Sequence, residues 1–216
     1  QGSGAASLDQ LSSALVLRSK RDFGSRYTLG ALFTNRSGDE YFNRVFGFDG
    51  AARFSRRDKV SFQFLGSSTR YPGGVALDFG QPLGTLGDLA FGAQFEHQGR
   101  NLQYWVEYDD VGPEFRADLG FMPRVDYREL EGGVSYGWLR DRGWWSRIML
   151  GSSWERSEDH HGRFLFEMNS LNFVFRGAMQ SYFNLYGYRM HEDYRGRTYP
   201  LWAAEALLGM SPHAVV

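Results

Sequence analysis

The chain has 216 residues, with Lys+Arg 24 against Asp+Glu 25, 17% aromatic residues, 27 glycines and no cysteine. The near-zero net charge removes the electrostatic footprint of a nucleic-acid binder, and the missing cysteine removes disulfides, thiolate zinc sites and cysteine nucleophiles. No run of about 18 apolar residues is present, which excludes a transmembrane helix; a membrane barrel stays open, because only alternate residues of its strands meet lipid.

Residues 1–7, Gln-Gly-Ser-Gly-Ala-Ala-Ser, have no basic stretch followed by an apolar one, so an export signal is expected to have been removed or to lie upstream. From Leu11 to Leu208 the chain then falls into about ten segments of roughly 10 to 13 residues with apolar side chains at every second position. Leu15 and Leu17 open the series. Tyr27, Leu29, Ala31 and Phe33 follow, alternating with Thr28, Gly30 and Thr34. Phe46 and Phe48, Phe62 and Phe64, then Phe91 and Phe95 continue it, and Leu102, Tyr104, Val106 and Tyr108 alternate with Gln103, Glu107 and Asp109. Tyr136, Trp138 and Ile148 carry it further. Within 163–176 the parity breaks between Phe164, Phe166, Met168 and Leu171, Phe173, Phe175, which predicts a β-bulge near Asn169-Ser170. Strands of this length exceed ordinary globular ones and match a tilted strand crossing a bilayer.

The connections are expected to alternate in length. Tight turns are expected at 23–25, 56–58, 99–101, 140–143 and 177–178, and longer polar or Pro/Gly-rich links at 37–43, 71–87, 111–126, 157–162 and 191–200. Short turns at one end and long loops at the other are the signature of an outer-membrane β-barrel. So many aromatics on one face overfill a small barrel interior, so that face is expected to meet lipid. The other face is then the hydrated lumen, with Arg18, Arg53, Glu96, Glu107, Asp109, Glu131 and Arg147 as lumen-facing candidates. Aromatics near segment ends, among them Tyr27, Phe54, Trp138, Trp144 and Trp202, are expected to form interfacial girdles.

The stretches Leu-Arg-Ser-Lys-Arg-Asp-Phe-Gly at 17–24, Leu-Gly-Ala-Leu-Phe-Thr-Asn-Arg at 29–36 and Asp-Leu-Gly-Phe-Met-Pro-Arg-Val-Asp-Tyr-Arg at 118–128 resemble a bacterial family of unknown function. In that family a secreted carbohydrate-binding-like β-sandwich precedes an outer-membrane β-barrel. The resemblance spans roughly 15–154 and implies a barrel and an outer-membrane location. It assigns no catalytic residue. The sandwich is missing from this chain, the last residues are not an aromatic-terminated strand, and a last segment at 201–208 leaves an odd strand count, so part of a larger barrel is expected.

Three constellations could carry chemistry. Glu158-Asp159-His160-His161 has metal-ligand residue types, yet neighbours on an extended chain diverge, and a solvated external loop is the expected role. The acidic run Glu107, Asp109, Asp110, Glu114 and Asp118 lacks the Asp/Asn-Gly spacing of a calcium loop. For a nucleophilic triad, His97 and His191 fall at opposite ends of their hairpins, Ser152 and Ser181 lack a motif, and no G-x-S-x-G elbow occurs.

The expected fold is therefore all-β, an antiparallel up-and-down transmembrane β-barrel or an incomplete portion of a larger one. Residues 1–10 are expected to be a flexible segment and 11–210 the barrel domain. The expected role is that of a non-enzymatic bacterial outer-membrane protein, a solute channel or a membrane anchor linked to carbohydrate binding or uptake, with no cofactor or metal. Membrane lipid or detergent, a carbohydrate or small solute, and another outer-membrane or periplasmic protein are the expected partners. The alternatives are a soluble ligand-binding β-barrel or sandwich and an outer-membrane enzyme acting on glycan or lipid.

Overall fold

The computed structural model describes residues 11–120, 122–194 and 196–211; the expected flexible segment 1–10 lies outside them. Eleven strands follow in chain order: β1 (Ser13–Phe23), β2 (Tyr27–Gly38), β3 (Tyr41–Arg53), β4 (Asp58–Arg70), β5 (Leu86–Gln98), β6 (Leu102–Val111), β7 (Tyr127–Leu139), β8 (Trp145–Glu158), β9 (Phe164–Gly177), β10 (Tyr182–Tyr194) and β11 (Arg197–Gly209). One short helix, α1 (Gly73–Asp78), lies between β4 and β5. The strands hydrogen-bond in sequence order in a single up-and-down antiparallel sheet, with β1 and β11 ending the order. The all-β antiparallel meander expected from the alternating pattern is thus the observed fold.

The residues gather into two compact units. The first comprises the described residues up to Phe54 with Val60–Ala93 and Asp109–Arg128; the second comprises Ser55–Lys59, Gln94–Tyr108 and the described residues from Glu129.

In the first unit the two faces separate cleanly. On β3, Tyr41, Asn43, Val45 and Gly47 are buried, while Phe46 and Phe48 between them are 50% and 58% exposed. The pairs Leu17↔Phe33 and Phe33↔Phe46 carry the apolar row across β1, β2 and β3; Arg18↔Leu32 and Gly30↔Asp49 belong to the opposite, polar face. The buried core lies on the polar face. Val45, Ala90, Val111 and the fully buried Phe115 cluster there with Leu65, Met122 and Val125, because residues 112–120 and 122–126 lie back over the strands. Burying a Phe side chain contributes about 1.5–3 kcal/mol, which helps explain why this link docks instead of staying in solvent.

In the second unit the pairs Ser153↔Ser170 and Gly151↔Asn172, continued by Ser170↔Tyr188 and Tyr188↔Ala203, define the polar row of β8 to β11. Leu150↔Phe173 and Phe173↔Leu185 define the apolar one.

Two sequence expectations need correction. The connections do not alternate strictly, because 37–43 and 191–200 are not long links. β2 continues to Gly38 and β3 begins at Tyr41, so Asp39-Glu40 alone make the turn, with Glu40 at φ 57°. β10 likewise runs to Tyr194, which pairs with Arg197. Pro200 lies inside β11, the last strand of the order, where a missing N–H is tolerated. The second correction concerns β9. Its register with β8 is unbroken through Asn169 and Ser170, and the shifts fall between Trp145 and Arg147 and between Ser157 and Glu158. Phe166 and Met168 therefore keep their parity with Ser170 and sit on the polar face, where the alternation changes composition without changing register; Phe164 lies beyond the second shift, opposite Glu158 and with the Arg156 guanidinium over its ring.

Candidate functional site on the polar face

In the first unit, residues 112–126 are tied to the polar face by strand residues too small to be conspicuous. Asn43, at 0% exposure, donates to Thr69 Oγ1 at 2.6 Å and to the Arg116 carbonyl at 3.0 Å, while its Oδ1 accepts the Asp118 N–H at 3.1 Å. Ser67 Oγ accepts the Arg116 N–H at 3.1 Å, and Asp88 Oδ2 accepts the Glu114 N–H at 2.9 Å. These bonds satisfy backbone groups that docking removes from water, where an unpaired group costs about 1–3 kcal/mol. Asp118 then takes two hydroxyl protons, from Tyr41 at 2.6 Å and from Tyr71 at 3.0 Å. The two rings stack at 6.0 Å between centroids. Burial, with the Asp118 carboxylate beside it, pushes the Tyr71 hydroxyl well above the ordinary tyrosine range, so it is a donor at any ordinary pH.

The lumen-facing candidates divide among different partners. Arg18 forms an ion pair with Asp49. Glu96 pairs with Lys59 Nζ at 3.0 Å, and Glu107 accepts from Gln94 Nε2 at 2.7 Å. Asp109 lies over Gly92, where an added methyl would come within 2.5 Å of its Oδ1. Glu131 is part-buried on the parity of Gly133, whereas Arg53 and Arg147 are exposed. Arg147 stands opposite another arginine, Arg176. Glu96 and Glu107 share one recess.

That recess, about 280 Å³, lies in the second unit and is lined on the polar face by Gln94, Glu96 and Gln98 of β5 with Gln103, Trp105 and Glu107 of β6. The sequence pattern of β6 passes over Trp105. Its signal is parity: a tryptophan among Gln103, Glu107 and Asp109, on the side opposite Tyr104 and Tyr108.

The other constellations resolve into structural roles. Asp159 is buried and accepts the N–H groups of Arg163 and His161 at 2.8 and 3.0 Å, and Arg163 Nε lies 3.1 Å from its other oxygen. Those contacts hold its carboxyl below the usual carboxylate range, led by the hydrogen bond from the Arg163 backbone. The expected solvated loop is thus a tight turn organised by a buried carboxylate. The acidic run is dispersed: Glu107 pairs with Gln94, Asp110 with Arg128 at 3.2 Å and Asp118 with two tyrosines. Among the described residues no group of three or more His, Asp or Glu is gathered as metal ligands. Ser55, Asp58 and His97 touch in a chain, but in the wrong order for nucleophilic catalysis. Ser55 Oγ donates to Asp58 at 2.5 Å, and Asp58 meets His97 Nδ1 at 2.6 Å, so the serine has no base on it. Ser55 Oγ instead accepts the N–H groups of Arg57 and Asp58, which folds the β3–β4 turn.

Comparison with known protein families, with characterised proteins and with solved structures yields no match.

Proposed function

We propose that the eleven strands form part of the transmembrane wall of a bacterial outer-membrane β-barrel that holds or passes a small hydrated solute. The observation that carries this reading is the apolar face. Leu29, Phe48, Phe62, Tyr104, Tyr136, Leu150 and Leu185, from seven different strands, are each 37–58% exposed. Isolated exposed apolar residues are ordinary on a soluble protein, but contiguous rows of this extent are not, and hydrocarbon is a solvent that stabilises them. Strands of 10 to 14 residues fit a tilted crossing. The polar face supplies what a water-facing wall needs, with the Arg18–Asp49 and Lys59–Glu96 pairs and glutamine-lined space. The resemblance of 17–36 and 118–128 to an outer-membrane barrel family points the same way.

The docked segment 112–126 favours a narrowed path or an anchoring role over a wide pore. Sedimentation of washed membranes and extraction tests the reading. The chain is expected to stay with the outer-membrane fraction after alkaline carbonate, to need detergent for release, and to migrate differently on gels before and after boiling. Recovery of folded protein in detergent-free buffer overturns it.

A further inference from the structure

We infer that the recess between β5 and β6 is a saccharide subsite that takes one uncharged pyranose ring, with Trp105 as its stacking platform. The inference deepens the reading above and rests on it only for the access of solute to this face. Strand alternation puts Gln94, Glu96 and Gln98 beside Gln103, Trp105 and Glu107, which gives three amides, two carboxylates and one indole around about 280 Å³, with His97 and Tyr104, stacked on each other on the opposite parity, completing the lining. Such a set suits a ligand with many hydroxyls. Gln94 and Gln98 each use one amide donor on Glu107 and Glu96, at 2.7 and 3.3 Å, which orients the carboxylates; the remaining amide and carboxylate positions meet hydroxyl groups, and the indole presents an apolar face to the C–H surface of a sugar ring.

Three further observations narrow the ligand. Trp105 lies over the backbone of β7 at Gly133, where a Cβ would come within 2.7 Å of the indole nitrogen, so the ring is seated by a glycine that leaves it room. The exposed Gln103 lines the recess beside Trp105, and its amide stands at the mouth for a ligand hydroxyl. Finally, two carboxylates face one cation, Lys59, which is already paired with Glu96 at 3.0 Å. The balance of charge repels phosphorylated or carboxylated solutes and leaves neutral sugars acceptable.

The test is saturation-transfer NMR on the full chain in detergent, with maltotriose and cellotriose as neutral probes and glucose 6-phosphate as the anionic one. Transfer to the ring protons of at least one neutral probe is expected, with none to the phosphate. Trp105→Ala and Gly133→Ala should both abolish it; the second keeps every lining residue and displaces only the Trp105 ring. Trp138→Ala, on the apolar parity of β7, should leave it intact. No transfer from either neutral probe, or transfer that survives Trp105→Ala, overturns the inference. Circular dichroism and the boiled-against-unboiled gel shift on each variant separate loss of fold from loss of the site. A chain that needs detergent but shows no transfer retains the barrel reading and loses this one; a detergent-free chain that binds through Trp105 does the reverse.

Discussion

Tyr41 and Tyr71, whose rings stack, donate to the two oxygens of one carboxylate, Tyr41 to Asp118 Oδ2 and Tyr71 to Asp118 Oδ1. One starts β3 and the other follows β4, so Asp118 joins its own segment to two places on the sheet at once. Hydrogen bonds to a charged group contribute about 1.5–3 kcal/mol each, about twice a neutral pair.

Removing that carboxylate should therefore loosen the segment without unfolding the strands. Asp118→Ala is expected to speed amide exchange of Phe115, Arg116 and Asp118 by about tenfold or more per 1.4 kcal/mol lost, while the N–H groups of the β2–β3 ladder stay protected. Tyr41→Phe, which leaves the Tyr71 contact, should do about half as much. Phe115→Ala should cost about 3–5 kcal/mol in the same unit, because the ring is fully buried and its cavity has no replacement. Exchange of strand and segment amides rising together in Asp118→Ala would show that the segment is part of the global fold rather than a separately docked piece.

Tyr71 makes the docking depend on pH. Its hydroxyl is raised in the fold above an unfolded value of about 10. A group raised in this way stabilises fully below its unfolded value and loses that contribution as pH climbs through the folded one. The segment should stay docked to about pH 10 and release above it. Tyr71→Phe should reduce this alkaline step in an exchange profile, and Tyr71→Phe combined with Tyr41→Phe should remove it, since both hydroxyls donate to Asp118. A release beginning well below pH 9 in the wild-type chain would contradict the assignment.

The opposite sign applies to Asp159, whose carboxyl is lowered, first by the Arg163 backbone hydrogen bond and then by that of His161. Its contribution is present above an unfolded value of about 4 and is lost as pH falls below it. The β8–β9 turn is thus expected to fray in acid, read as faster exchange at Arg163 and His161. Asp159→Asn keeps an acceptor oxygen for those two donors and should flatten the acid dependence at a modest cost. Asp159→Ala, which removes the acceptor, should fray the turn at every pH.

Much of this sheet can be read from its period of two. The apolar parity of Leu17, Phe33, Phe46, Phe62 and Tyr104 holds, as do the tight connections after Phe23, Gln98 and Gly177, because alternation and turn-forming Gly are local signals. The turn at Asp39-Glu40 is hidden, since Glu40 takes a left-handed conformation that its residue type does not announce. The docked segment is hidden for a different reason. Asn43, Ser67 and Thr69 look like ordinary small polar residues on a water-facing row, and their partners lie 49 to 75 residues away or across the β3–β4 hairpin. No local pattern can reveal such pairings. Trp105 was within reach of parity alone, masked only by the stronger aromatic row of Tyr104 and Tyr108 beside it.

The depth of a residue along its strand decides the sharpest test of the membrane reading. Leu29 is the third residue of β2, beside the turn that follows Phe23, and so lies near one end of its strand. Val134 is the better probe: it lies midway along β7, is 50% exposed on the apolar face, and has Ser135 next to it on the polar face, against Gly151. An arginine facing lipid at mid-depth costs about 2–4 kcal/mol and near the interface about 0–1. Val134→Arg should therefore destabilise the chain by about 2–4 kcal/mol in unfolding titrations from lipid bilayers, with Leu29→Arg and Ser135→Arg far milder. A soluble sheet with its apolar face against water predicts near-zero cost for Val134→Arg and Leu29→Arg alike, and one with that face packed on protein predicts severe damage at both. Only lipid grades the two by depth, so equal effects at Val134 and Leu29, in either direction, would remove the bilayer from the account of this face.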